Sequence, residues 1–194
     1  MTTNLAVLFS GGGRTVLNLL DCIENGTLDA KITLAIASRA GVEGIDRIAS
    51  RGIDVAVARQ EGDSLETGDT RIQSWLDIEQ PDLICLCGYV RLLNIEHWME
   101  GRIINIHPSR LPKYGGKGMY GMRVHEAVIE NGEIETGCTI HYVDEVYDHG
   151  PTILQRTCLI ESGDTPQSIA DKVFALECEA YPVAIQKAIE QLKV

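Results

Sequence analysis

The triplet Asn105-Ile106-His107 closes the apolar run RIINIH and is followed at once by Pro108. In an extended strand side chains alternate, so Asn105 and His107 share one side and Ile106 takes the other. An amide and an imidazole at i and i+2, at the carboxyl end of an apolar strand, are unusual for a core position. An exposed pair of this kind can serve one small cavity, with amide hydrogens to donate and a ring that titrates near neutral pH. Alone, His107 reads either as a hydrogen-bonded structural histidine or as a catalytic group. The later segment VDEVYDHGP, residues 143–151, gathers several carboxylates on one turn. In isolation it reads as a solvated acidic loop. Folded back onto His107, Asp148 would favour the imidazolium and raise its pKa.

A second chemical signal is Ser10-Gly11-Gly12-Gly13-Arg14-Thr15, between a first strand and a first helix. Glycines let the backbone turn tightly and bring its N–H groups close to a ligand. The helix start adds about half a positive charge, and Arg14 adds a fork suited to phosphate. A dinucleotide fingerprint needs a third small residue, where Val16 stands, and an acidic residue after the second strand, where Ser38-Arg39 stands. NAD is therefore disfavoured, while Arg39 leaves NADP open. A tight turn that binds nothing is the third reading.

These groups need a frame. Short apolar runs at Leu5–Ser10, Ile32–Ser38, Asp54–Ala58, Asp82–Gly88 and Arg102–His107 read as strands. Helical spacing is expected over Val16–Asn25, Gly44–Arg51 and Thr70–Glu79, with a short helix at Ile95–Met99. DLICLCG is apolar on both faces, as a central parallel strand requires. The alternation predicts an α/β fold: a Rossmann-like, open, mostly parallel twisted sheet with helices on both faces and ligand loops at its carboxyl edge. After residue 107 the pattern changes to a loop at Pro108–Gly121 and a helix at Val124–Asn131. Strands at Thr139–Val143 and Thr152–Ile160 then form an antiparallel C-terminal addition, and a last helix follows Thr165 and ends near Gln191. No linker divides residues 1–194, so a single domain is expected.

The 194 residues carry a net charge of −11, which argues against a general basic face for nucleic acid. An anionic substrate must therefore find its positive potential locally. The six cysteines, Cys22, Cys85, Cys87, Cys138, Cys158 and Cys178, show no CxxC spacing. Buried reduced thiols and no metal are expected. There is no basic leader before the first apolar stretch and no apolar run near ~20 residues, so no membrane partner and a cytoplasmic location are expected.

The segments NIHPSRLPKYGG, CGYVRLL, GCTIHYVDEVYDHGPTILQ and ECEAYP resemble the phosphoribosylglycinamide formyltransferases of purine synthesis. The resemblance runs from the glycine loop to the last helix. The ordered pair Asn-x-His-Pro-Ser-x-Leu-Pro and Asp-x-Gly-Pro is specific to the wider formyltetrahydrofolate transferase-and-hydrolase superfamily. It implies that 10-formyltetrahydrofolate is the cosubstrate and glycinamide ribonucleotide the acceptor, both small molecules, with a monomer or homodimer equally compatible. Asn105, His107 and Asp148 match the catalytic residues. Val90, Arg91, Leu92 and Leu93 match one wall of the pterin pocket, and His141 to Asp148, including Val143 and Asp144, match the other. Gly12, Gly13, Arg14 and Thr15 match the loop for the ribonucleotide phosphate, and Glu177 matches a ribose-binding carboxylate. The N-terminal part is thereby expected to bind phosphate and the C-terminal part folate.

Two departures stand out. Arg14-Thr15 replaces the Ser or Thr followed by Asn that is common in the family. The loop YGGKGMYGMR, residues 114–123, is several residues longer than in shorter members, and its Lys117 and Arg123 read either as ligand contacts or as solvated charge. The implied chemistry is attack of the acceptor amine on the formyl carbon. Asn105 and a protonated His107 would hold the oxyanion while Asp148 relays the proton, and no metal is needed. Hydrolysis of formyltetrahydrofolate is the nearest rival, though such hydrolases carry an extra N-terminal domain and a His pair where His107-Pro108 stands. Transfer to methionyl-tRNA is disfavoured by the acidity and by the lack of a C-terminal RNA-binding domain. Formylation of a sugar nucleotide or another amine, an NADP-binding oxidoreductase and a non-catalytic nucleotide-binding module complete the alternatives.

Overall fold

The computed structural model describes residues 2–192. The described residues group into two compact units that divide between Ile104 and Asn105. The strands form a seven-stranded sheet in the order β3-β2-β1-β4-β5-β6-β7.

In the first unit, β1 (Thr3–Phe9) lies parallel to β2 (Ala30–Ala37) and to β4 (Leu83–Leu86), and β3 (Val55–Val57) extends β2 in parallel. Every residue of β4 is buried, as its two-sided apolar pattern requires. Helix α1 (Arg14–Glu24) buries Val16, Leu19 and Leu20. Helix α2 (Gly44–Ala49) buries Ile48, and α3 (Leu65–Glu79) buries Ile72 and Leu76. The expected helix at Thr70 begins five residues earlier, because the Ser64 side chain accepts the Thr67 N–H at 3.0 Å and caps the first turn. Its C-terminal cap is Gln80, a non-glycine residue in left-handed conformation with φ 44°. The short helix expected at 95–99 is a 3-10 turn over His97–Met99.

Strand β5 (Ile103–His107) carries the chain into the second unit. There α4 (Met122–Glu130) buries Val124, His125 and Val128, and β6 (Glu135–Tyr142) pairs antiparallel with β7 (Thr152–Leu159). β6 starts four residues before the expected Thr139. Its early segment contains Gly137, a residue that ordinarily weakens a strand interior. A Cβ there would stand 1.8 Å from the Arg156 carbonyl oxygen on β7, so only glycine permits the pairing. Helix α5 (Pro166–Leu192) closes the unit. Its start is tied reciprocally: Ser168 N–H donates to the Thr165 hydroxyl at 3.2 Å, and Thr165 N–H donates to the Ser168 hydroxyl at 2.9 Å.

All six cysteines are free. Cys85, Cys87 and Cys138 are buried, whereas Cys22, Cys158 and Cys178 are only half-buried, which corrects the expectation of six buried thiols. No described helix is long and apolar enough to cross a membrane.

Candidate active site

The second unit brings three polar side chains to one carboxylate oxygen. Asp148 Oδ1 lies 3.3 Å from Asn105 Nδ2, 3.4 Å from His107 Nδ1 and 3.6 Å from His141 Nε2. Its other oxygen, Oδ2, accepts the Gly116 N–H at 2.9 Å. Asn105 and His107 come from the same side of β5, and His141 from β6. Asp148 comes from the turn between β6 and β7, where its own backbone is left-handed at φ 56°.

The hydrogen bonds assign the rings. His107 Nε2 donates to the Tyr114 carbonyl oxygen at 2.7 Å, so Nδ1 is the nitrogen left for Asp148 and for a reacting group. His141 Nδ1 donates to the Tyr142 carbonyl oxygen at 2.8 Å, which leaves its Nε2 to accept from the Asn105 amide at 3.1 Å. The contacts of Asn105 to His141 and Asp148 are long for such bonds and are readily exchanged for a stronger acceptor.

Electrostatics correct one expectation. Burial, the largest influence, holds the His107 pKa below its ordinary value; the Asp148 charge and the Tyr114 carbonyl oppose it without reversing it, and His141 adds to the depression. Asp148 was expected to keep this ring charged. The ring is 4% exposed rather than open, and desolvation wins. Burial also presses Asp148 upward, but the adjacent His141 and His107 rings and the Gly116 N–H outweigh it. The carboxyl therefore lies below the usual carboxylate range.

Three further parts of this cluster escaped sequence reasoning. His141, expected on the folate wall, is 1% exposed and also bonded to Asn105, a contact the sequence did not suggest. Its signal was available: Thr139 and His141 alternate on one face of the strand. The Tyr114 carbonyl and Gly116 N–H are backbone groups that no residue type announces. His125 of α4 is buried, its Nδ1 has no partner, and burial followed by the nearby His107 charge lowers its pKa. Below the cluster, Thr139 Oγ1 donates to the Ser109 carbonyl and accepts from Leu111 N–H and Gln155 Nε2, at 2.7, 3.0 and 2.8 Å. One donor and two acceptors are all that a hydroxyl offers, so this node pins the 109–111 segment.

The remaining second-unit residues of the expected site have the following surroundings. Asp144 is tied within its own turn, accepting Val146 N–H at 2.9 Å and pairing with His149 Nδ1 at 2.7 Å. Val143, beside it, is half-buried. Glu177 sits on α5, where its charge follows burial as a cause that pushes the Cys138 thiol up to about 12. In the 114–123 loop, Lys117 is exposed and Arg123 lies over the Tyr120 ring at 5.1 Å.

In the first unit, Gly13 caps α1 in left-handed conformation at φ 70°, and Arg14 and Thr15 open the helix. Gly12 precedes them, its carbonyl accepting from Arg47 Nη1 at 3.3 Å, while the Gly11 carbonyl accepts the Gly44 N–H at 3.2 Å. With those carbonyls taken by α2, the loop is braced from behind. Gly44 makes the bracing possible: a Cβ there would lie 2.7 Å from the Gly11 oxygen and 2.9 Å from the Gly13 nitrogen. After β4, Val90 and Leu92 are exposed, Leu93 is buried, and Arg91 is paired with Asp69 of α3.

Residues 3–185 match the formyl transferase family. The chain is 31% identical over 186 residues to the phosphoribosylglycinamide formyltransferase of Escherichia coli, covering 94% of this chain and 85% of that protein. It is 37% identical over 186 residues to the trifunctional purine biosynthetic protein adenosine-3 of Drosophila pseudoobscura, where it spans 93% of its own length but only 13% of that protein. The crystal structure of phosphoribosylglycinamide formyltransferase from Bacillus halodurans superposes with a TM-score of 0.84 at 32% identity, covering 95% of this chain and 94% of that one. The chain belongs to the formyl transferase family.

Proposed function

We propose that the chain transfers the formyl group of 10-formyltetrahydrofolate to the amine of glycinamide ribonucleotide, a step of purine synthesis carried out in the cytoplasm. In this reading residues 1–194 act as one formyltransferase domain. The observation that carries it is the convergence of Asn105, His107 and His141 on Asp148 Oδ1. Likeness over most of both chains to proteins named for this reaction supports it.

The acceptor amine attacks the formyl carbon as a free base, and the carbonyl electron pair moves onto oxygen. The Asn105 amide exchanges its weak contacts for that oxyanion, a donor worth about 3 kcal/mol. His107 enters neutral, as its burial dictates, and takes the proton released by the amine through Nδ1 while Asp148 stabilises the imidazolium. Collapse of the adduct breaks the bond from the formyl carbon to the folate nitrogen, which receives that proton. Products are the formamide and tetrahydrofolate, with no covalent enzyme intermediate. Much of the remaining acceleration comes from holding two substrates together.

The braced loop at Gly12, Gly13, Arg14 and Thr15 takes the ribonucleotide phosphate on its N–H groups, and Glu177 takes the ribose. The expected pterin contacts are Val90, Arg91, Leu92 and Leu93 in the first unit, and His141, Val143 and Asp144 in the second.

The deciding experiment follows folate absorbance as the protein consumes 10-formyltetrahydrofolate, with and without glycinamide ribonucleotide. Loss that requires the acceptor is expected. Loss without it would make the chain a hydrolase. No loss in either case would reduce it to a binding module.

A further inference from the structure

The backbone of residues 113–116 crosses the catalytic cluster like a strap. Its Tyr114 carbonyl holds His107 Nε2 at 2.7 Å, and its Gly116 N–H holds Asp148 Oδ2 at 2.9 Å. Between these two contacts, a Cβ on Gly115 would stand 2.5 Å from Leu111 Cδ2 and 3.2 Å from Asp148 Cβ, so the strap lies flush against the residue it serves. Tyr114 is itself left-handed at φ 57°, a conformation that its own side chain disfavours and that something else must hold.

Tyr114 is only half-buried. It borders a cavity of about 370 Å³ lined by residues 110–114 and 133–136 with Val128 and Gln155. What spans the gap is a single carboxylate oxygen. Glu133 Oε1 accepts the Tyr114 hydroxyl at 2.9 Å and the Lys113 ammonium at 2.8 Å. Glu133 is a firm post, because it lies three residues past the end of α4 and its N–H donates back to the Val128 carbonyl at 3.3 Å. A second tie, from the Ser109 hydroxyl to the Lys113 carbonyl at 2.6 Å, fixes the strap's beginning but not Tyr114.

We propose that Glu133, which touches no reacting atom, is a positioning residue: through the Tyr114 hydroxyl it sets the strap, and the strap sets the His107 tautomer and the Asp148 orientation. The inference rests on the formyl-transfer reading for its kinetic consequence, though not for its structural one. A tyrosine and a glutamate joined on the outer side of the loop thus govern proton transfer on its inner side.

The test compares Tyr114→Phe, Glu133→Ala, Glu133→Gln and the Tyr114→Phe/Glu133→Ala double variant with the unaltered chain. Measured are kcat, KM for both substrates, the melting temperature and the ¹⁵N signals of the His107 ring. Tyr114→Phe and Glu133→Ala should each lower kcat three- to tenfold with both KM values within twofold. The double should be no worse than the poorer single, and Glu133→Gln, which still accepts the tyrosine hydroxyl, should recover most of the loss. The His107 ring signals should move from a single Nε2–H form toward a mixture of tautomers in the two disruptive variants. Unchanged kcat and unchanged ring signals in Tyr114→Phe, which removes one oxygen and little else, would overturn the proposal. So would losses that only track melting temperature. If the unaltered chain transfers no formyl group, the functional reading fails, and the ring signals still decide the positioning role.

Discussion

The Asn105 amide nitrogen lies 3.1 Å from His141 Nε2, and the sense of that bond is set on the far side of the ring. His141 gives its Nδ1 hydrogen to the Tyr142 carbonyl, so it is Nε2, in the neutral ring a lone pair, that faces the amide NH₂. A histidine at the end of one strand thereby orients an amide at the end of another.

Asn105→Asp is the sharpest probe of that arrangement. It replaces a donor with an acceptor 3.3 Å from Asp148 Oδ1, where a second carboxylate is repelled. Turnover should fall by about 10²–10³ with folate binding largely retained, the loss expected of one missing oxyanion donor. Steady-state kinetics beside a folate titration decide it.

Asp148→Asn separates charge from shape. Asparagine tolerates the left-handed backbone that Asp148 adopts at φ 56°, so the turn should keep its form. Transfer should nearly vanish, by about 10² or more, as it should in His107→Ala, while both variants still bind folate. Near-normal turnover in both would remove the pair from the reaction.

The pH dependence follows from burial. The His107 pKa lies below 6.5, so the ring is a proton acceptor at neutral pH. The substrate amine, near pH 8 for an α-amino group, must also be free. Log kcat/KM should drop with slope one below about pH 8, and with slope two only once His107 protonates, below pH 6.5. Stability moves the same way. For His107 and His125 the folded pKa is depressed, so the unfolded chain takes up protons first. Their contribution is intact above the unfolded value of 6.5 and is lost as pH falls through it toward the folded values. Urea midpoints measured between pH 7 and 5 should fall accordingly, and His125→Leu should flatten the slope by up to about 1.4 kcal/mol per pH unit.

Gly44→Ala tests the brace behind the glycine loop. The added methyl meets the Gly11 carbonyl and the Gly13 nitrogen at under 3 Å, so the loop must shift. Overpacking of this kind costs about 1–3 kcal/mol. The KM for the ribonucleotide should rise well beyond that for the folate, a difference that global destabilisation alone does not produce.

Much of the fold was legible because it is written in local patterns. β4 is apolar on both faces and α1 has a clean stripe, so both announce themselves. The misses have physical causes. α3 was shortened because a serine cap extends a helix through polar residues, and β6 because Gly137 is demanded by a neighbouring strand rather than by its own chain. At the site, Asn105 and His107 were visible through strand alternation, and Asp148 only through resemblance, since nothing in its own turn points forty residues back. The protonation of His107 was misjudged because a sequence shows the charge of a neighbour but not the water excluded around it. The Tyr114 carbonyl and Gly116 N–H belong to the backbone, and residue types are silent about them.

Left-handed backbone at Gln80, Tyr114 and Asp148 has a practical corollary for anyone seeking a hardier protein. Gln80 is exposed at a helix end, so Gln80→Gly should relieve its strain and gain about 0.5–1 kcal/mol, visible as a higher melting temperature with unaltered kinetics. The same replacement at Tyr114 or Asp148 trades activity for toughness, because there the awkward conformation carries the group that works. Of the three, only the helix end invites engineering.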